Sequence, residues 1–207
     1  MSLIHKVMRK SGRELFLYYP GDKKRTAFKR CSITVLMDDC NENSANEALV
    51  KLGLDKLSKE YEIIISFIAA TKDGFNYKME ENKADDVAAF IELQGAMNRP
   101  TDDPLPVGAN GIPSFAAMMD AWHPMNDTKY LIGIGNGASM ALTLAACYPD
   151  NIAAVLTVGG ELCDEALEKA VYSAVPVAMI NPCKKAADYF KKANSVDTID
   201  ENEKRIV

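Results

Sequence analysis

Residues 129–160 read KYLIGIGNGASMALTLAACYPDNIAAVLTVGG, and this stretch decides the fold of the chain. It begins with an apolar run that predicts a strand and then passes through three closely spaced glycines. An Ala-rich segment that predicts a helix follows, a Pro-Asp pair ends it, and a second apolar run predicts another strand. A strand, a crossover helix and a second strand predict two parallel neighbours in one sheet.

The same alternation of strands and helices extends over the rest of the chain. Apolar or β-branched runs predict strands at 13–19, 31–37, 62–68, 129–134, 152–158 and 175–180. Helical patterns cover 44–60, 85–93, 114–122, 138–148, 164–172 and 184–193. We expect the first strand to pair antiparallel at an edge of an otherwise mostly parallel sheet. Residues 99–113 hold four prolines and two glycines, so they predict an exposed loop or flap.

Composition limits the classes of protein that this chain can belong to. At 207 residues, of which 48% are hydrophobic and 26% charged, it predicts one globular domain over 1–207. The net charge of −5 argues against nucleic acid, and no apolar run approaches the roughly 20 residues that span a membrane. The five cysteines are scattered without a C-x-x-C pair, so we expect neither a metal site nor disulfides. This favours a reduced cytoplasmic location, while a removed signal peptide and an oligomer stay open.

The Gly-rich turn carries a resemblance to a known family. Residues 133–137 read Gly-Ile-Gly-Asn-Gly, a Met/Ala-rich helix follows, and Tyr148, Pro149 and Asp150 close it. This order resembles the nucleophile elbow, G-x-S-x-G, of the α/β-hydrolases, in the branch of polyhydroxybutyrate depolymerases and feruloyl esterases. The resemblance implies a three-layer α/β-hydrolase-like fold with a mostly parallel central sheet. It also implies truncation at the C-terminal end, because the family's histidine-bearing segment does not follow 203–207.

The resemblance also implies that the catalytic groups have been lost. Gly135 stands where the family has its nucleophilic serine, and glycine has no side chain that can attack a carbonyl. The two histidines, His5 and His123, both precede the elbow, whereas the family's base follows the last strand. No carboxylate follows the strand at 175–180 until Asp188, which lies on a predicted helix. We therefore expect an esterase-like domain without a catalytic triad that binds a small-molecule or ester-like ligand, or a partner, above Gly135.

Candidate site residues follow from the ends of the predicted parallel strands, where open α/β sheets place their ligands. The degenerate elbow comprises Gly133, Gly135, Asn136 and Gly137, and Ser139 is a candidate for a relocated nucleophile. The candidate ligand-binding residues are Asp38, Asp39, Cys40, Gly135, Asn136 and His123. Ordinary structural roles are the alternatives: a turn for the two aspartates, packing or a bond to its own backbone for Ser139, and a surface or structural position for His123.

Two other functions stay open at this point. The chain could be an active carboxylic-ester hydrolase with an unusual or incomplete site. Alternatively, Gly133, Gly135 and Ala138 fit the pattern G-x-G-x-x-[GA] between a strand and a helix, and Glu161 follows the next strand, as in dinucleotide-binding folds. Short glycine motifs match by chance, and this one lies past the middle of the chain. We therefore predict no cofactor.

Overall fold

One mixed sheet runs through the part of the chain that the structure, a computed structural model, describes: residues 3–20, 30–97, 124–171 and 174–194. Within these residues the sheet has seven strands in the order β1-β2-β4-β3-β5-β6-β7. They are β1 Ile4–Val7, β2 Glu14–Tyr18, β3 Arg30–Met37, β4 Ile64–Ala69, β5 Pro124–Ile134, β6 Ala154–Val158 and β7 Val177–Ile180. Strand β2 pairs antiparallel with β1 and β4, and all the other pairs are parallel.

Helices cover both faces of this sheet. They are α1 Glu42–Lys51, α2 Leu54–Tyr61, α3 Asp86–Met97, α4 Asn136–Cys147, α5 Asp164–Glu168 and α6 Lys184–Ala193. Helices α1 and α2 pack on one face against residues such as Val35 and Phe67. The other four pack on the opposite face, against residues such as Leu131 and Met179. The expected three-layer arrangement with a mostly parallel sheet is confirmed.

The structure differs from the predicted elements in one strand and one helix. Strand β1 was not predicted, and it places β2 inside the sheet instead of at its edge. The helix predicted over 44–60 is two helices, because Gly53 adopts a left-handed backbone with φ of 67°. The first of these two helices, α1, is capped by Asn41, whose side chain accepts hydrogen bonds from the backbone N–H groups of Asn43 and Ser44.

The elements that meet the candidate site end at one edge of the sheet. Strands β3, β4, β5, β6 and β7 run parallel, so their carboxyl ends lie side by side. Helix α4 starts directly at the end of β5, and all its residues from Gly137 to Cys147 are buried. Its alanines and other small side chains let it pack closely over the middle of the sheet.

Several predictions fall outside the described residues. These are the loop at 99–113, the helix at 114–122, His123 and the C-terminal segment 203–207. Within the ranges that the structure covers, every helix is too short or too polar to cross a membrane.

Candidate functional site

The turn from β5 into α4 is centred on Gly135. Its backbone has φ of 63° and ψ of −124°, a conformation that residues with a side chain rarely adopt. Its N–H donates to the carbonyl of Val158 on the neighbouring strand β6, with an N···O distance of 3.4 Å. The chain thus leaves the strand and enters the helix within one residue, and glycine meets the backbone requirement of this turn without strain.

The glycines on either side of Gly135 are required for space. A Cβ atom at Gly137 would lie 2.1 Å from the carbonyl oxygen of Leu36 on β3. A Cβ atom at Gly133 would lie 2.5 Å from the Cα of Ala138. Both distances are far below van der Waals contact, so the start of α4 packs directly on the backbone of the two strands. This explains three closely spaced glycines without assigning a chemical role to the outer two.

The carboxylate of Asp38 lies over the turn. Asp38 follows β3, and its Oδ2 accepts a hydrogen bond from the backbone N–H of Asn136 at 3.1 Å. A Cβ atom built on Gly135 would lie 2.9 Å from the same oxygen. The N–H after the elbow residue is a donor that serine hydrolases of this fold aim at the reacting oxyanion. In this chain the protein's own carboxylate occupies that donor.

Electrostatics favour this position of Asp38. The first N–H groups of a helix have no partner within the helix, and the helix dipole places partial positive charge there. The Asp38 carboxylate supplies a hydrogen-bond acceptor for one of these N–H groups and a negative charge beside the positive end of the dipole. The same charge repels a phosphate or a second oxyanion, so this arrangement does not favour a pyrophosphate at the start of α4.

The two residues after Asp38 have different surroundings. Asp39 is exposed, and its carbonyl accepts a hydrogen bond from the Ser44 hydroxyl at 2.7 Å. Cys40 is 8% exposed and belongs to the core between the sheet and α1. Burial, with a smaller contribution from the charge of Glu14, raises the pKa of the Cys40 thiol to about 12. Cys40 therefore stays protonated and turned into the core, whereas Asp38 reaches the elbow.

The side chain of Asn136 holds the loop that follows β4. Its Oδ1 accepts a hydrogen bond from the backbone N–H of Phe75 at 2.8 Å. The loop is closed on itself by the Thr71 hydroxyl, which donates to the carbonyl of Gly74 at 2.8 Å. Asn136 thus uses its backbone N–H on one loop and its side chain on another, which fixes both beside Gly135.

Ser139 lies one turn into α4 and is 4% exposed. Its hydroxyl accepts a hydrogen bond from the backbone N–H of Glu161 at 2.9 Å. The Glu161 carboxylate in turn accepts a hydrogen bond from the Tyr77 hydroxyl. That bond, together with smaller effects of burial and of the Glu161 charge, raises the pKa of Tyr77 to about 12. Sequence reasoning missed Tyr77, because no motif connects it with Glu161, 84 positions along the chain.

The other expected catalytic types do not meet at the elbow. His5 lies on β1, at the far edge of the sheet from β5, where it stacks on Phe16 at 4.9 Å between ring centroids. Asp188 lies on α6, and its side chain is exposed. Among the described residues, no group of three or more His, Cys, Asp or Glu side chains is arranged to hold a metal ion.

Comparison with known proteins supplies a likeness in structure alone. No protein-family model matches the sequence, and no curated protein is similar to it in sequence. A thermostable esterase shares 11% identity with a TM-score of 0.58, over 93% of this chain and 51% of that one. Thermogutta terrifontis esterase 2, in a form phosphorylated by paraoxon, shares 11% identity with a TM-score of 0.57, over 94% of this chain and 78% of that one.

An acetyl xylan esterase from Aspergillus awamori matches with 12% identity and a TM-score of 0.50, over 77% of this chain and 52% of that one. The chain therefore spans about half the length of two of these esterases, the thermostable and the acetyl xylan enzymes. The structural neighbours are esterases, and the chain has the α/β-hydrolase type of fold that they share.

Proposed function

We propose that this chain is a non-catalytic, esterase-like domain that binds an ester-like small molecule at the carboxyl edge of its sheet, in the cleft above Gly135. One observation carries the proposal: the carboxylate of Asp38 accepts the Asn136 N–H beside a glycine in the elbow position. The nucleophile and the oxyanion donor are the two groups that the elbow itself supplies to acyl transfer. In this chain glycine stands in the nucleophile's position, and the Asp38 carboxylate occupies the N–H donor.

The two losses act independently. Without an Oγ at the elbow no acyl-enzyme can form there, and loss of the nucleophile alone costs on the order of 10⁶ in rate. With a carboxylate on the Asn136 N–H, a carbonyl oxygen that gains negative charge meets repulsion where a hydrolase supplies a donor. A change of Gly135→Ser supplies the first group only, so we expect it to restore no turnover.

Turnover of p-nitrophenyl acetate tests the absence of catalysis. We expect hydrolysis no faster than that of the unfolded chain, and no covalent labelling by a fluorophosphonate probe. The comparison uses Ser139→Ala and Ser58→Ala, because both serines are buried and each hydroxyl has a backbone hydrogen bond, to Glu161 and Ile63 respectively. Turnover that Ser139→Ala abolishes and Ser58→Ala preserves would establish an active hydrolase with a relocated nucleophile.

Binding is tested separately by amide NMR titration with methyl 3-hydroxybutyrate and ethyl ferulate, esters of the two classes that the resemblance suggests. We expect saturable shifts at the amides of Gly135, Asn136 and Gly137. An absence of shifts at these amides at millimolar ester refutes the binding part of the proposal and leaves the loss of catalysis standing.

A further inference from the structure

A concave site lies away from the elbow, between the β1–β2 hairpin and α3. We call it the hairpin cavity. It has a volume of about 940 Å³ and is lined by hairpin residues between 6 and 13 and by residues between 84 and 96 on one side of α3 and just before it. This volume lies in the range of about 300–1,000 Å³ typical of small-molecule pockets. Three of the lining residues in this second segment are alanines, at positions 84, 88 and 96.

Apolar side chains in the hairpin cavity face solvent. Val7 and Ile91 line it and are 54% and 57% exposed. Both come from regular elements, a strand and a helix, so their positions are fixed by backbone hydrogen bonds. Exposed apolar side chains grouped in a concave site favour a ligand with an apolar body, because burying them removes their surface from water.

The remaining lining is charged. Four basic residues, Lys6, Arg9, Lys10 and Arg13, line the cavity beside two acidic ones, Asp85 and Glu92. The buried Arg13 is already paired with Asp86, so the other charges of the lining leave an excess of one positive charge. Lys6 is 8% exposed, and its ammonium donates to the carbonyl of Ala96 at 3.4 Å, which holds a buried cation at the wall.

Both carboxylates of the lining, Asp85 and Glu92, accept hydrogen bonds from backbone N–H groups. Glu92 accepts hydrogen bonds from the N–H groups of Lys10 and Ser11 at 2.7 and 2.8 Å, which closes the hairpin turn on α3. Burial opposes ionisation of Glu92, but these bonds outweigh it and lower its pKa. Asp85 accepts the N–H of Ala88 at 2.9 Å at the start of the helix. Accepting these hydrogen bonds does not remove the negative charge of either carboxylate, so a ligand meets the excess positive charge of the lining, whose exposed cations are Arg9 and Lys10 at the turn.

We propose that the hairpin cavity binds a monovalent organic anion with an apolar body, of the class of a medium-chain carboxylate. The carboxylate faces Arg9 and Lys10 at the turn, and the hydrocarbon covers Val7 and Ile91. The site is independent of the elbow, so its failure or success leaves the proposal for the elbow unchanged.

Amide NMR titration of the full chain with three probes separates charge from apolar contact. Decanoate is the test ligand, decyltrimethylammonium has the same tail with the opposite charge, and acetate has the head group alone. We expect saturable shifts with decanoate at the amides of residues 7–11 and 84–92, and at least about tenfold weaker binding of the other two. Equal binding of the ammonium, or decanoate shifts confined to other parts of the chain, overturns the proposal.

Matched variants locate the contacts. We expect the double variant Arg9→Glu and Lys10→Glu to weaken decanoate binding by about tenfold, because each charge reversal replaces an attraction by a repulsion. The control is Lys56→Glu and Lys59→Glu, on the exposed side of α2. Ile91→Glu should weaken binding similarly, whereas Val50→Glu on α1, where Val50 is 60% exposed, should not. Charge and apolar variants that bind as the parent chain does refute the site.

Discussion

The contact between Asp38 and Gly135 makes a quantitative prediction about the stability of the elbow. In Gly135→Ala, a residue with a side chain must adopt φ of 63° and ψ of −124°, which costs about 1–3 kcal/mol. Its Cβ would also lie 2.9 Å from Oδ2 of Asp38, so that carboxylate must move away. The exposed hydrogen bond to Asn136 is then lost, at a cost of about 1 kcal/mol. We expect a total loss of about 2–4 kcal/mol in the free energy of unfolding.

A double-mutant cycle isolates the contact. Within 4 Å, the added Cβ would meet two atoms outside its immediate chain neighbours, Oδ2 and Cγ of Asp38, and Asp38→Ala removes both. In that background, Gly135→Ala should cost the backbone strain alone, which gives a coupling of about 1 kcal/mol between the two positions. The assay is urea unfolding of the four proteins, followed by far-UV circular dichroism.

Gly53→Ala is the control for backbone strain without the contact. Gly53 has φ of 67°, and an added Cβ there has nothing within 4 Å. This change should destabilise the chain equally with and without Asp38→Ala. A cost of Gly135→Ala below about 0.5 kcal/mol, or a cost that does not depend on Asp38, would refute the reasoning about the occupied turn.

Three further changes test the surroundings of the site. Asp86→Asn removes the charged partner of the buried Arg13 guanidinium and should cost about 3–5 kcal/mol in urea unfolding, whereas a cost below about 1 kcal/mol would contradict a buried ion pair. Burial lowers the pKa of Lys129 to about 8, so the unfolded chain binds more protons than the native one above that pH. Stability should therefore rise from about pH 8 to the ordinary lysine pKa of 10.5, and Lys129→Met should remove this slope, as measured by urea unfolding across the range. Glu161→Gln should lower the pKa of Tyr77 from about 12 toward the ordinary 10.0 in an ultraviolet absorbance titration. In the parent chain, the stabilisation linked to the raised pKa of Tyr77 should be complete below pH 10.0 and lost as the pH approaches about 12. A Tyr77 titration that Glu161→Gln leaves unchanged would exclude the hydrogen bond between the two side chains.

The part of the fold nearest the elbow could be predicted from the sequence, because local signals agree there. The turn glycines, the apolar runs of β5 and β6, and the helix at Lys184–Ala193 each have a pattern of the right length. Strand β1 could not be predicted, since four residues that include His5 and Lys6 carry no strand pattern. It forms because it pairs with β2 and because His5 stacks on Phe16.

The candidate site shows the same division. Topology places Asp38 near Gly135, because both follow neighbouring parallel strands, and the sequence is sufficient for that inference. Its bond to the Asn136 N–H depends on side-chain orientation, which no sequence pattern specifies. The partnership of Tyr77 and Glu161 depends on how the loop after β4 lies across α4, and only the folded chain determines that.

The proximity of Asp38 and Gly135 also restricts which mutations are accessible. A serine introduced at position 135 alone would contact the Asp38 carboxylate and destabilise the fold. Selection for activity at that single position would therefore reject the variant for its lost stability. The Asp38 carboxylate fits over the turn only while residue 135 has no side chain. Directed evolution toward an acyl-transfer catalyst on this scaffold should therefore vary positions 38 and 135 together in one library.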